Sequence, residues 1–335
     1  MKNIVFIIFL TAITVLSGSC SSGKIEFIQH EDRIDVMTEG KLIASYLVGQ
    51  QITKPALYPV LTPSSDTVTR SFPFDIKEGE SRDHPHHTGV FFTYGAAGEV
   101  NGNNYWANTQ HRYPSAGNET PPPIRLDRII HLKSGRNKAI LKSVNMWVDK
   151  NDKPLLEENR DMEFMVSDDE YKIDFTITLK AVDTTVTFGD TKEGMFAIRV
   201  ADWLAENARG TRYISTGEYL NASGERTDRN VWGRRSEWMR LEGEKDGKRS
   251  GVVIFHHPES VNFPTYWHAR GYGLFAANPL GQFDFQRDRG EESPQHFSLT
   301  LTPGESALFK FRMVIYDGTR DKERLDREFE NFSTI

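Results

Sequence analysis

The residues of this sequence that could do chemistry concentrate first around a group of histidines. His84, His86 and His87 fall within four consecutive positions, directly after Arg82 and Asp83. An imidazole can ligate a metal or transfer a proton near neutral pH. We therefore predict His86 or His87 as a general acid, with His84, His86 and His87 together as an alternative set of ligands for a divalent metal. A purely structural loop, with internal hydrogen bonds, is the remaining interpretation.

The metal interpretation rests on an incomplete ligand set. His84 and His86 have the His-x-His spacing that double-stranded β folds of the cupin type use for metal binding. No glutamate follows His86 at three to five positions, and the first acid downstream is Glu99. A divalent metal therefore stays an open alternative as a cofactor, and no other cofactor is indicated.

A second polar segment, FGDTKEGMF at residues 188–196, contains a carboxylate suited to proton transfer. Glu193 and Lys192 lie in a turn bounded by glycines, from which side chains can project into a cleft at a sheet edge. We predict Glu193 as a general base and Lys192 as a substrate contact. Trp232 and Arg234 could add a stacking surface and a planar cation. An ordinary charged hairpin is the alternative.

A third segment, residues 264–282, combines aromatic rings with small and polar residues. Rings cover the apolar faces of sugars, and His, Arg, Asn and Gln side chains bond to hydroxyl groups. Aromatic residues at this density are also common in β cores, and Trp267 or Phe275 could belong there. The substrate-binding residues predicted from the three segments are Arg82, Asp83, Lys192, Trp232, Arg234, Tyr266, Trp267, His268, Arg270, Asn278 and Gln282.

Composition narrows the class of protein that must position these residues. The 335 residues carry a net charge of −6, are 38% hydrophobic and include one Cys. A globular chain with a large core is expected, and the scattered basic residues argue against a nucleic-acid partner. A single Cys can form neither an intramolecular disulfide nor a thiolate metal cluster.

The chain begins with the pattern of an export signal. Lys2 precedes an apolar run over residues 4–16, and small residues lead to Cys20. The run is too short to span a membrane. We predict a signal peptide over residues 1–19 and lipidation of Cys20, which would place the protein in the periplasm or on the outer membrane, touching the membrane only through its lipid anchor. Ordinary signal cleavage is the alternative.

Alternating apolar and polar residues predict a mostly antiparallel β structure. The clearest run is 171–180, and similar runs, separated by turn-like segments, include residues 33–37, 41–48, 138–148 and 296–301. Residues 319–332 have apolar side chains spaced for one face of a helix. The fold class expected is all-β: one large antiparallel β-sandwich domain over residues 20–335, with a C-terminal helix.

The three polar segments resemble a known family. The motifs ESRDHPHHTG at 80–89, FGDTKEGMF at 188–196 and YWHARGYGLFAANP at 266–279 look like those of a bacterial family catalogued as PmoA-like, a domain of unknown function. The resemblance extends over about residues 54–316. Members of that family tend to accompany sugar-degrading enzymes and sugar oxidoreductases. The arrangement of strands also resembles the galactose-mutarotase-like supersandwich, in which a His acts as general acid and a carboxylate as general base.

The resemblance implies an exported carbohydrate-active enzyme. An epimerase, lyase or hydrolase acting on a sugar, or on an oxidised sugar such as a 3-keto-glycoside, would use Glu193 with His86 or His87. A noncatalytic surface glycan-binding lipoprotein is one alternative, and a metal-dependent enzyme using the histidine cluster is another. In each case the expected partner is a carbohydrate or a sugar-derived small molecule.

Overall fold

Antiparallel strands make up most of the molecule. The computed structural model describes residues 23–49, 52–108 and 121–335, which form nineteen strands and three helices. Among these residues, no helix has the length and apolar character needed to cross a bilayer. The predicted signal peptide and Cys20 lie outside the described residues.

The first sheet has nine strands, numbered here in chain order. Each strand pairs antiparallel with its neighbours. In spatial order they are β1 (Ile25–Gln29), β2 (Arg33–Thr38), β3 (Lys41–Leu47), β4 (Ala56–Val60), β5 (Val90–Tyr94), β11 (Gly194–Arg199), β17 (Leu274–Asn278), β16 (Thr265–Ala269) and β13 (Arg235–Ser236).

The second sheet has eight longer strands, and its pairings are also antiparallel. In spatial order they are β12 (Glu218–Asn221), β14 (Trp238–Lys245), β15 (Lys248–His256), β19 (Ser306–Asp317), β9 (Glu170–Ala181), β8 (Pro154–Val166), β7 (Lys138–Val148) and β6 (Ile124–Lys133). A separate pair joins β10 (Val186–Phe188) to β18 (Leu299–Leu301), and two short helices are α1 (Asp228–Val231) and α2 (Phe283–Asp288).

The two sheets pack face to face through a shared aromatic core. The ring of Phe196 on β11 stacks on Phe311 of β19, with centroids 4.5 Å apart, and meets the edge of Phe175 on β9 at 4.8 Å. Residues that alternate inward on both sheets complete this core, as expected for a β-sandwich. The all-β antiparallel fold class is therefore confirmed.

The predicted C-terminal helix is also confirmed, as α3 (Lys322–Phe332). Asp321 caps its N-terminus by accepting a hydrogen bond from the backbone N–H of Arg324. Leu325 and Phe332 are buried against the face of the second sheet that points away from the main core. The helix thereby covers apolar surface that would otherwise face water.

The outer face of the nine-stranded sheet supports the candidate site. Strand residues alternate between the two faces, so Phe92, Phe196 and Phe275 point into the main core while their neighbours point away from it. In the register of four adjacent strands, Phe91, Ala197, Ala276 and His268 stand in one row. The two alanines at the centre of this row form the floor of the site, and the partly buried Tyr272 packs against the same cluster.

Candidate functional site

The loop that carries the histidines is shaped by a buried arginine. Arg70 is fully buried, and its guanidinium donates to the backbone carbonyls of Phe72, Asp83 and His84 at 2.7–3.2 Å. Backbone carbonyls buried away from water need such partners. Arg70 therefore holds the irregular loop in one conformation, in which His84 has a left-handed backbone with φ of 46°.

Asp83 joins this loop to the floor of the site. One of its carboxylate oxygens accepts hydrogen bonds from Arg70 at 2.9 Å and from Arg199 of β11 at 2.7 Å. The other oxygen pairs with Nδ1 of His84 at 2.8 Å. Burial alone would raise the pKa of Asp83, but the hydrogen bond to His84 and the charges of Arg199 and Arg70 hold it well below its usual range. Asp83 is therefore an anion that orients the His84 ring.

The three histidines differ in exposure. His86 and His87 are 0% and 1% exposed, whereas the His84 side chain is 29% exposed. Burial, and next the charge of His86, lowers the pKa of His87 well below its ordinary value, so His87 is neutral at physiological pH. The general-acid role predicted for His86 or His87 stays a prediction. His84 combines solvent access with a carboxylate partner and is better placed for proton transfer.

The geometry of the histidine rings is unfavourable for a shared metal. The rings of His84 and His87 are stacked, with centroids 5.0 Å apart and planes 1° from parallel. Imidazole lone pairs lie in the ring plane, so a metal in the plane of one ring lies outside the plane of the other. Within the described residues, no group of three or more His, Cys, Asp or Glu side chains is arranged to hold a metal ion.

Glu193 stands directly before β11 and is unusual among the acids of the site. Its backbone carbonyl accepts a hydrogen bond from Gly95, which holds the turn against the end of β5. Its carboxylate has neither a hydrogen bond nor an ion pair with any described residue. Burial raises the pKa of Glu193 to about 7, against the opposing charges of Lys192 and Arg270. A carboxyl group with this pKa can both accept and donate a proton near neutral pH.

His268 links the turn of Glu193 to the third segment. Its Nδ1 lies 2.8 Å from the backbone carbonyl of Lys192, and its Nε2 lies 3.2 Å from Nε of Arg270. Burial, and next the charge of Arg270, lowers the pKa of His268 to about 3. The guanidinium of Arg270 in turn lies over the ring of Trp232, 4.8 Å from its centroid.

Tyr272 connects the third segment to the histidine loop. Its ring is stacked on His84 at 4.8 Å, and the guanidinium of Arg199 on β11 lies 4.7 Å from its centroid. Burial raises the pKa of Tyr272 to about 12, while the charges of Arg199 and Arg270 oppose this change and that of Glu193 adds to it. The structure thus brings residues of all three polar segments together on one face of the sheet.

Several residues predicted to bind substrate have other roles. Trp267 is 0% exposed and lies in the main core, where its indole N–H donates to the carbonyl of Ser236. Asn278 is also fully buried and bonds to the backbone of the neighbouring turns. Both side chains are enclosed by protein, and their contact with a sugar stays a prediction.

The other predicted contacts lie nearer the surface. Arg234 is exposed and pairs with Glu225, Gln282 bonds to the carbonyl of Gln295, and the Tyr266 hydroxyl accepts a hydrogen bond from Gln286. Arg82 is exposed at the start of the histidine loop, and Lys192 lies 3.8 Å from Asp284. Their contact with a substrate stays a prediction.

Four residues at the site were not predicted from the sequence. Arg199 and Tyr272 contact the histidine loop as described, and Trp106 packs its ring edge against His87 at 5.5 Å. Lys54 is buried, and its ammonium donates to the carbonyls of Trp106 and Ala107, while burial lowers its pKa to about 7. Tyr272 lies within the third motif, but Arg199 and Lys54 lie among apolar residues whose pattern gives no signal of a site.

The chain belongs to a family of unknown function, DUF6807, whose model matches residues 33–330. This match supports membership of a family without an assigned activity, and it lends no support to the name PmoA-like. Among curated proteins, none matches the sequence.

Solved structures with a similar arrangement of elements include sugar-related proteins. A galactose 1-epimerase from Lactobacillus acidophilus has 9% identity and a TM-score of 0.38, with coverage of 89% of this chain and 100% of that one. A galactose mutarotase-like protein from Clostridium acetobutylicum has 10% identity, a TM-score of 0.36 and coverage of 90% and 100%. A heparan sulfate lyase from Pedobacter heparinus has 9% identity, a TM-score of 0.30 and coverage of 90% and 36%. With scores this low, these activities describe the named proteins alone.

Proposed function

We propose that this chain is an enzyme that acts on a sugar by proton transfer, with Glu193 as the general base. The observation that carries the proposal is the state of the Glu193 carboxyl group, which is partly buried, has no hydrogen-bonding partner among the described residues and has a pKa of about 7. A buried carboxylate without a partner destabilises a fold, so such groups are concentrated at functional sites.

His84 is the partner acid in this proposal. Asp83 fixes its ring through Nδ1, and Tyr272 stacks against its face. Tyr272 contacts the ring of His84, and the charge of Glu193 adds to the rise in its pKa, so the tyrosine lies near both proton-transfer groups. A base and an acid on separate elements can serve opposite sides of a bound ring.

The substrate class is proposed from the surfaces around these groups. Trp232 and Tyr272 are partly exposed aromatic side chains, and Arg270, His84 and Glu193 supply polar groups beside them. Aromatic faces combined with charged and hydrogen-bonding groups match the alternating apolar and hydroxylated surfaces of a sugar. An epimerase, a lyase and a hydrolase all remain compatible with this arrangement.

Deuterium exchange and anomer interconversion test the proposal for all three reaction types at once. A panel of neutral, acidic and oxidised sugars is incubated with the protein in D₂O, and NMR records deuterium incorporation, anomer exchange and bond cleavage. We expect at least one of these reactions, slowed about 10²-fold or more in Glu193→Gln with sugar binding retained. Binding without any turnover would instead identify a noncatalytic glycan-binding protein.

Export is a separate proposal, supported by the amino-terminal pattern of a basic residue, an apolar run and a Cys. A periplasmic or surface location would give the enzyme access to sugars released outside the cytoplasm. Lipidation at Cys20 would anchor it to a membrane through an acyl chain.

A further inference from the structure

Arg270 is held in the site without an acidic partner. Its Nε donates to His268 and its guanidinium stacks on Trp232, but none of the described acids lies within ion-pair distance. The neighbouring cations differ in this respect. Arg70 and Arg199 both bond to Asp83, and Lys192 lies 3.8 Å from Asp284.

The orientation of Arg270 is set by the tautomer of His268. A backbone carbonyl can only accept, so the short contact with Lys192 places the proton of His268 on Nδ1. Its Nε2 must then be an acceptor, which matches the N–H of Arg270 that points at it. The neutral imidazole of His268 therefore accepts a hydrogen bond through Nε2 and orients the Nε side of the Arg270 guanidinium.

Trp232 is the second side chain that contacts the guanidinium of Arg270. The guanidinium carbon lies 4.8 Å from the centroid of the indole, so a cation–π contact holds the group on this side. Nε donates to His268, and neither Nη1 nor Nη2 has a hydrogen-bond acceptor among the described residues, so we take the edge formed by Nη1 and Nη2 as the ligand-binding edge. Two parallel N–H donors on one edge match the two oxygens of a carboxylate.

We propose that Arg270, oriented by His268 and Trp232, binds the carboxylate of a uronic acid residue in the substrate. This inference rests on the proposed function, and it specifies the substrate class of the same site. His268 contacts both Arg270 and the backbone carbonyl of Lys192, the residue before Glu193, and the charge of Arg270 lowers the pKa of Glu193 against the effect of burial, so the two groups lie near each other. A uronic acid bound through its carboxylate would therefore present its ring to the proton-transfer groups. In this scheme Arg270 is a binding residue, and His268 is a positioning residue.

Calorimetric titration with matched sugars tests the inference. The probes are D-glucuronate and D-galacturonate, their short oligosaccharides, the neutral sugars D-glucose and D-galactose, and D-glucuronamide, which keeps the shape of the acid without its charge. We expect the acids to bind about 10-fold or more tightly than the neutral sugars and the amide. In Arg270→Gln, affinity for the acids should fall about 10- to 100-fold and affinity for neutral sugars much less, as for loss of a charge-assisted bidentate pair.

Two further variants distinguish a specific role of Arg270 from a general effect of its positive charge. Arg136→Gln removes the same charge from an exposed position in the β6–β7 turn and should change no affinity. Arg270→Lys keeps the charge without the two-donor edge and should recover only part of the loss. Thermal unfolding of each variant checks that it is folded.

The outcomes separate the two proposals. Equal affinity for acids and neutral sugars, or an equal loss for both in Arg270→Gln, overturns the carboxylate inference and leaves the sugar enzyme standing. Tighter binding of sugar phosphates or sulfates than of uronates also overturns it, because the site would then recognise a tetrahedral anion. Binding of no sugar of either class, together with no turnover in D₂O, overturns both proposals.

Discussion

At the scale of single residues, the protonation of Glu193 couples the proposed activity to stability. The unfolded chain ionises this carboxyl group near the ordinary glutamate pKa of 4.5, whereas the folded protein keeps the proton until about pH 7. The folded state therefore binds the proton more tightly, and its stability falls as pH rises from 4.5 to about 7. Above this range the fold is about 3 kcal/mol less stable than it would be with a neutral side chain at this position, which is the free energy that corresponds to the difference between the two pKa values.

Glu193→Gln is consequently expected to lose turnover and gain stability. The amide keeps the shape of the side chain but removes the burial of a charge, so the free energy of unfolding at about pH 8 should rise by up to about 3 kcal/mol. At pH 4.5 the difference should nearly vanish, because the folded protein then carries a neutral side chain in both cases. Urea unfolding at the two pH values measures this. An equal effect at both values would show that Glu193 titrates normally.

The histidines show why residue roles were only partly readable from the sequence. Three imidazoles in four positions indicated a site. Which of them is exposed depends on the loop conformation, and Arg70 and Asn108, which lie outside the loop, hold that conformation by hydrogen bonds to its backbone carbonyls. His86 and His87 are buried, and the side chain of His84 is partly exposed. No local pattern could distinguish them, because the loop conformation is set by contacts distant in sequence.

At the scale of elements, successive side chains of β16 point to opposite faces of the sheet, so one belongs to the core and the next to the site. Trp267 points between the sheets, and His268 points to the outer face beside Ala276. Trp267→Ala should therefore lower the free energy of unfolding by about 3–5 kcal/mol, as for other large buried side chains. Any loss of sugar affinity should disappear at temperatures where the variant is fully folded.

Trp232→Ala is the matched comparison for that prediction. This indole is only partly buried and supports Arg270, so its removal should weaken sugar binding with a smaller loss of stability than Trp267→Ala. Chemical unfolding and calorimetric titration of both variants give the four values needed. A reversed pattern would place Trp267 at the ligand and contradict the register of β16.

The strands predicted from the sequence are those with one polar face. The alternation over residues 171–180 corresponds to β9, and the runs near residues 33–48 and 138–148 correspond to β2, β3 and β7. The predicted strand over residues 296–301 is shorter in the structure, where only β18 forms. β16 and β17 carry no such alternation, because both of their faces are buried.

At the scale of the whole molecule, the first prediction concerns attachment to a membrane. If Cys20 carries the anchor, Cys20→Ala should abolish labelling with a fatty-acid analogue and move the protein to the soluble fraction. Fractionation of cells that express the full chain measures both effects. Ser19→Ala is a neighbouring control that should leave labelling in place. Labelling that persists in Cys20→Ala would contradict lipidation at this residue.

The site also forms only when distant strands of the first sheet have paired, because its contacts join distant parts of the chain. Asp83 bonds to Arg199 across 116 positions of the chain, and His268 bonds to Lys192 across 76. Contacts between such distant parts of a chain form late, because closing long loops is entropically unfavourable. Recovery of catalysis during refolding would therefore follow, rather than accompany, the appearance of β structure. A nascent or truncated chain would be inert towards sugars, and activity would report that the last strands of the first sheet had joined.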